Sequence, residues 1–169
     1  TDSSYIDAIN LLDITTSDSV IEIGCGFGRS LSTLCELAHS VVAVDISEKM
    51  INAAKTTCKN NNITFSVSPS EYLPFTEKKF DVAVCYAAFD AMYQTEALIE
   101  MNRICKHGAR ILITGKNNDY YNNNDTSNFN WANGSVYGEY DFSILDGNGT
   151  AIATYNEIGS TAALHKVAH

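Results

Sequence analysis

A chain of 169 residues with 45% hydrophobic and 18% charged residues and two prolines has the composition of one globular domain, long enough to build a core without disulfide or metal staples. Its formal net charge of −9, with the basic residues scattered, offers no electrostatic footprint for a nucleic-acid backbone or an anionic membrane, so neither is expected as a partner. The opening residues TDSSYIDAINLLDI lack a basic leader and a continuous apolar segment, and no run approaches the roughly 20 residues of a membrane span, so the chain is expected to be soluble.

In chain order, SVIEIG is the first of five short apolar runs and leads into glycines at 24, 26 and 28. Arg29 to Ala38 then reads as a helix, with Leu31, Leu34, Cys35 and Ala38 on one face. SVVAVD is the second strand, ending in Asp45. Ser47 suits the N-cap of the next helix, whose Met50, Ile51 and Ala54 are expected to face inward before the polar stop KNNN. NITFSV and FDVAVCY follow as strands. From Thr95 to Lys106 the apolar positions Leu98, Met101, Ile104 and Cys105 predict a helix, with Gly108 in the place of a C′ glycine, and ARILIT is the fifth strand. The length and β-branched content of the runs suit strands buried on both faces of a parallel sheet.

Beyond Thr114 the pattern changes. GKNNDYYNNNDTSNFNWANG has no helical period and reads as loop, whereas VYGEYDFSIL and TAIATY, separated by DGNG, alternate as an antiparallel hairpin would. NEIGSTAALHKVAH is open between a short helix and a frayed end. The expected fold is therefore a single α/β domain over residues 1–169: a doubly wound, mostly parallel, Rossmann-like sheet with right-handed crossovers and a ligand crevice at the carboxyl ends of the strands. Its recognisable core spans 19–114, and 115–169 is a divergent loop and hairpin tail.

The five cysteines, Cys25, Cys35, Cys58, Cys85 and Cys105, are odd in number and widely spaced, with no C-x-x-C pair and no histidine at metal-ligand spacing. They read as reduced, mostly buried thiols of a cytoplasmic protein, and no metal site is expected. Cys25, inside the glycine loop, is open to a reactive role, with packing favoured.

The glycines remove Cβ atoms where the backbone turns sharply and approaches a ligand, and the following helix offers free N–H donors. A dinucleotide fingerprint G-x-G-x-x-G would need glycine at position 29, which is Arg29, and this weighs against a nicotinamide-dependent oxidoreductase. The spacing E-x-G-x-G-x-G from Glu22 to Gly28 instead resembles motif I of class I S-adenosylmethionine-dependent methyltransferases. Asp45 in VVAVDISEKMI is similar to that family's second motif, and SPSEYLPFTEKKFDVAVCYAAF and MNRICKHGARILIT resemble its later segments in the same order.

That resemblance implies S-adenosyl-L-methionine as cofactor and S-adenosylhomocysteine as product. It implies Gly24, Cys25, Gly26 and Gly28 under the methionine part, Glu22 near its ammonium group, and Asp45 on the ribose hydroxyls. Ile46 and Met50 would line the adenine, Ser70 and Glu71 would contact it, and Tyr86 would lie by the sulfonium. Pro69 stands where the family commonly has an Asp, so Ser68, Ser70 and Glu71 are alternatives for the adenine amino contact. Replacing Asp45 with alanine is expected to weaken cofactor binding and leave the fold intact.

Methyl transfer from a sulfonium needs alignment and exclusion of water more than a special catalytic side chain. A hydroxyl acceptor would also need a base, for which Asp90 in YAAFDAMY is the candidate, against the alternative of a solvated loop or cap residue. His39 and His107 fall at amino ends of strands, away from the crevice, and His165 and His169 lie in the tail. Lys116, Asn117, Tyr120 and Tyr121 follow the fifth strand, and ILITGKNNDYYNNND resembles methyltransferases of surface-polysaccharide clusters. The expected function is methyl transfer to a small-molecule acceptor, with a sugar or nucleotide-sugar hydroxyl as one class. The alternative is a non-catalytic cofactor-binding domain of the same fold, favoured by Pro69, the shortened tail and the lack of a clear base. Oligomeric state is not legible.

Overall fold

The computed structural model describes residues 4–114 and, beyond them, three strands at 139–145, 151–158 and 162–164. The elements run α1 (Ser4–Asn10), β1 (Ser19–Ile23), α2 (Leu31–Leu37), β2 (Ser40–Asp45), α3 (Glu48–Thr57), β3 (Ile63–Val67) and β4 (Phe80–Cys85). A 3₁₀ turn (Phe89–Ala91), α4 (Gln94–Ile104), β5 (Cys105–Ile113), β6 (Glu139–Leu145), β7 (Ala151–Ile158) and β8 (Ala162–Leu164) complete the order. All five apolar runs are strands.

One sheet has the order β3-β2-β1-β4-β5-β8, with its first five strands parallel and β8 antiparallel to β5. The period-2 alternation of a strand sends successive residues to opposite faces, and the core divides accordingly. On one face Ile21, Ile23, Val44, Cys85 and Ile113 pack with Phe80, Met101 and Ile104 beneath α4. On the other, Val20, Val41, Val82, Val84 and Leu112 pack with Leu31, Leu34, Ile51 and Ala54 of α2 and α3 and with Ile9 and Leu12 from α1 and its exit. α1 has no counterpart among the elements read from sequence, because seven residues carry too few apolar positions to display a helical period.

Several expectations need correction. β3 is a sheet edge and only half-buried, since no strand among the described residues pairs with its outer side, whereas β1, β2 and β4 are buried on both faces. Gly108, with φ +77°, does not cap α4: β5 begins at the residue after that helix, and Gly108 lies within the strand, where register against β4 slips between Phe80↔Cys105 and Val82↔Arg110. Met50 is exposed rather than inward, because only Ile51 and Ala54 of α3 lie on its sheet-facing side. The Ser47 cap does form, its hydroxyl accepting the Met50 N–H. An unanticipated cap closes α2: the Asn62 Nδ2 donates to the carbonyls of Cys35 and Ala38 at 2.9 and 3.1 Å, satisfying groups a helix end leaves orphaned.

In the tail, β6 and β7 pair antiparallel as the expected hairpin, in a two-stranded sheet of their own. The strand that joins the main sheet is β8, from the segment read as helix or frayed end; three residues are too short to show alternation. Lys116, Asn117, Tyr120, Tyr121, His165 and His169 lie outside the described residues. Among the described residues, no helix is long and apolar enough to cross a membrane.

Candidate functional site

Strand order reverses between β1 and β4, the place at which open sheets of this kind hold a ligand crevice outside their carboxyl ends. The glycine loop after β1 forms one wall and residues 86–92 after β4 the other. The loop is hung from the neighbouring strand, with the N–H groups of Gly24 and Cys25 both donating to the Val44 carbonyl, at 2.8 and 2.9 Å. Gly24, Gly26 and Gly28 have φ values of +75°, +53° and +86°, which residues with a Cβ adopt only at a cost.

Their surroundings differ. A Cβ on Gly24 would stand 2.6 Å from the Ala88 Cβ, and one on Gly28 would stand 2.7 Å from Leu31 Cδ1 and 3.2 Å from the Ala54 Cβ. Those two glycines allow close packing. Among the described residues, a Cβ on Gly26 would meet nothing within 4 Å, so this glycine borders space that they leave open.

Glu22, inside β1, is 3% exposed. Its Oε1 accepts a short hydrogen bond from the Ser30 hydroxyl, and Oε2 is buried with no partner among the described residues. Burial pushes its carboxyl up to about 7, against a smaller opposing effect of the Ser30 bond. Asp45, at the end of β2, is half-buried and ties two elements: Oδ2 accepts the Gly26 N–H and Oδ1 the Ser47 N–H, each at 2.9 Å. A carboxylate has about four acceptor positions, so the described residues leave roughly two unused. Alanine at 45 would therefore also remove the brace on the glycine loop.

Ile46 and Met50 follow on the exposed surface at the same end of the sheet, 73% and 40% exposed. Ser70 is buried, and the loop carrying it begins beside Asp45, whose carbonyl accepts the Ser68 N–H at 3.1 Å. Glu71 reaches away to accept the Tyr93 N–H at 2.9 Å. Burial works to raise its carboxyl, but the N–H groups of Tyr93 and of Glu71 itself and the Ser70 hydroxyl outweigh it and hold it below its ordinary value.

Across the crevice, the Tyr86 ring meets Tyr5 of α1 edge-on, with centroids 6.5 Å apart. That contact brings in α1, which sequence reasoning missed, and no local signal links two tyrosines so far apart in the chain. Asp90 is half-buried in the 3₁₀ turn. Cys25 is buried, and burial, helped by the Glu22 and Asp45 carboxylates, pushes its thiol far up, consistent with packing rather than reactivity. His39 and His107 are exposed, each at the amino-terminal side of the sheet. The described residues hold no group of three or more His, Cys, Asp or Glu able to bind a metal ion.

The methyltransferase domain family model matches residues 21–113, more than half the chain. Demethylmenaquinone methyltransferase of Tropheryma whipplei is 29% identical over 108 residues, 63% of this chain and 45% of the relative, so the chain spans less than half that protein's length. Among solved structures, the YcgJ protein of Bacillus subtilis superposes with a TM-score of 0.66 at 22% identity, covering 69% of this chain and 52% of that one. Phosphoethanolamine N-methyltransferase 1 of Haemonchus contortus, solved with phosphoethanolamine and S-adenosylhomocysteine, superposes with a TM-score of 0.63 at 21% identity, covering 69% and 26%. The two structures share the fold. With its glycine loop and acidic second-strand end inside the matched span, the chain belongs to the class I S-adenosylmethionine-dependent methyltransferase family.

Proposed function

We propose that this chain is the cofactor-binding domain of an S-adenosylmethionine-dependent methyltransferase that acts on a small-molecule acceptor. The observation that carries the reading is the pairing of an open Gly26 with an Asp45 carboxylate that keeps free acceptor positions beside it. The residues suit the cofactor in two further respects. Glu22 Oε2 is a buried acceptor without a donor, fitting an ammonium group, and Ile46 and Met50 are exposed apolar groups of the kind a purine covers.

The cofactor supplies, when bound, a methyl group on a sulfonium, activated for in-line displacement. The chain's part is to bind and align. The backbone of Gly24, Cys25, Gly26 and Gly28 cradles the methionine portion, Glu22 balances its ammonium, and Asp45 accepts the ribose hydroxyls. Ile46 and Met50 cover the adenine, Ser70 and Glu71 border it, and Tyr86 borders the methyl-bearing end. Alignment of this kind is worth roughly 7–11 kcal/mol of barrier. For a hydroxyl acceptor, Asp90 takes the proton.

The acidic net charge supports a small molecule over a nucleic acid or a membrane surface, and suits a cytoplasmic enzyme. The resemblance of residues 111–125 to surface-polysaccharide methyltransferases supports a sugar or nucleotide-sugar hydroxyl as acceptor, and the demethylmenaquinone methyltransferase relative supports a quinone ring as the competing class. The non-catalytic alternative draws on Pro69 and on Glu71, whose carboxylate accepts the Tyr93 N–H.

Calorimetric titration with S-adenosylhomocysteine, with NAD as control, tests the cofactor: micromolar binding of the former alone is expected, and binding of neither sinks the reading. Asp45→Asn should weaken that binding at least about tenfold, since hydrogen bonds to a charged group contribute about 1.5–3 kcal/mol. Methyl-labelled cofactor offered with nucleotide sugars and with a demethylated quinone then separates enzyme from binding domain and one acceptor class from the other.

A further inference from the structure

The wall opposite the glycine loop contains a backbone conformation its residue type disfavours. Ala87, two residues past β4, has φ +55°, in the left-handed region that a Cβ makes costly. Such a residue persists only where its surroundings hold it.

The holder is Thr114, the buried residue that follows β5. Its Oγ1 accepts the Ala87 N–H at 2.7 Å, its own N–H donates to the Cys85 carbonyl at 2.8 Å, and its carbonyl accepts the Phe89 N–H at 3.5 Å. One residue thus grips the chain before, at and after the left-handed position. Of the three contacts, only the one to Ala87 uses the side chain, so only that one depends on residue type.

The other side of this segment bears on the glycine loop, because the absent Cβ of Gly24 leaves room for Ala88, and Met92 Cε also lies 3.0 Å from where that Cβ would be. Residues 86–92 are therefore wedged between Thr114 and the loop proposed to cradle the cofactor. Releasing residue 87 from its left-handed turn would redirect Ala88 and alter the packing on Gly24.

We propose that Thr114 is a positioning residue of the cofactor site: its hydroxyl holds Ala87 left-handed, and so sets the wall formed by residues 86–92 against the glycine loop. The inference rests on the cofactor reading above and adds to it a residue that acts through the backbone of Cys85, Ala87 and Phe89. Threonine at the end of β5 serves here as a backbone acceptor that valine, of nearly the same shape, cannot replace.

The test is calorimetry with S-adenosylhomocysteine on the whole chain, with thermal unfolding in parallel. Thr114→Val leaves the Ala87 N–H without its acceptor, and affinity should fall about tenfold, while Thr114→Ser, which keeps the hydroxyl, should stay within about twofold of the unaltered chain. Adding Ala87→Gly to Thr114→Val should recover part of the loss, because glycine adopts the left-handed turn without being held. That double variant also serves if Thr114→Val alone fails to fold, in which case affinity between those of the unaltered chain and a Gly26→Ala chain is expected. A lower melting temperature with unchanged affinity in Thr114→Val, or equal loss in the valine and serine variants, would overturn the proposal and leave the cofactor reading standing. An unaltered chain that binds no S-adenosylhomocysteine overturns the cofactor reading itself, and the positioning role with it.

Discussion

The two ends of the same parallel strands are built to opposite rules. At the amino end, charges are paired and backbone groups are met. Arg110 pairs with Asp18 at 2.7 Å and donates to the carbonyls of Leu12 and Asp13, while Lys106 pairs with Asp81, whose other oxygen accepts the Ser19 N–H at 2.9 Å. Burial works to raise the Asp18 carboxyl, but the Thr15 N–H, the Arg110 guanidinium and the Thr15 hydroxyl hold it below its ordinary value. At the carboxyl end, Glu22 keeps a buried oxygen with no partner among the described residues, whereas left-handed residues stand at both ends, Asp13, Lys78 and Gly108 at the amino end and Gly24, Gly26, Gly28 and Ala87 here. The contrast teaches that the domain gathers stability at one edge and keeps unmet groups at the other, where a ligand would complete them.

Substitutions can break that contrast, and the largest effect belongs to the glycine loop itself. Gly24→Ala combines a left-handed alanine with a Cβ only 2.6 Å from the Ala88 Cβ. It should cost roughly 3 kcal/mol in denaturant unfolding. Gly26→Ala bears the backbone cost alone, about 1 kcal/mol, yet places a methyl in the open cradle. Little loss of stability with near-complete loss of S-adenosylhomocysteine binding would separate a glycine kept for a ligand from one kept for packing. Equal effects of the two substitutions on stability would erase the distinction.

Glu22 supplies a pH test of similar size. Its folded-state carboxyl, near 7, lies above its ordinary 4.5, so the folded chain holds a proton that the unfolded chain has released between those values. Stability should therefore fall as pH rises from about 4.5 through 7, by about 3 kcal/mol in total at about 1.4 kcal/mol per pH unit, and level off above. Glu22→Gln should flatten that slope and raise stability at pH 8. A slope that survives the substitution would assign the effect to another group.

At the opposite edge, Arg110→Met should cost about 2 kcal/mol, because it leaves the Asp18 carboxylate and two carbonyls without their guanidinium. S-adenosylhomocysteine affinity should not change. A weakened affinity in that variant would mean that the two edges are coupled, and the division of labour would fail.

Much of the architecture was legible because its signals are local. Each of the five parallel strands contains a short, mostly apolar run, and the Ser47 cap and the glycine loop are read within a few residues. The illegible parts depend on distant partners or on segments too short to show a period. α1 and β8 are of that kind, and β8 is a strand by virtue of pairing with β5. Asn62 was read as part of a polar stop, whereas in space it caps a helix that ended 25 residues earlier, at Leu37. Among the candidate site residues, motif spacing singles out Gly26 and Asp45, but nothing in the spacing tells that Asp45 braces the loop or that Glu71 accepts the Tyr93 N–H.

By itself the sequence determined the order of the five parallel strands and of the three helices between them, the place of the glycine loop and the acidic strand end, since each is written in neighbouring residues through periodicity, capping and the lack of a Cβ. Only the tertiary structure decided which glycine meets packed atoms and which meets open space, that Glu22 is left half-satisfied, and that Thr114 grips Ala87 across two strands. Those properties are distances between residues far apart in the chain. Strand pairing and burial set them, and no local pattern records them.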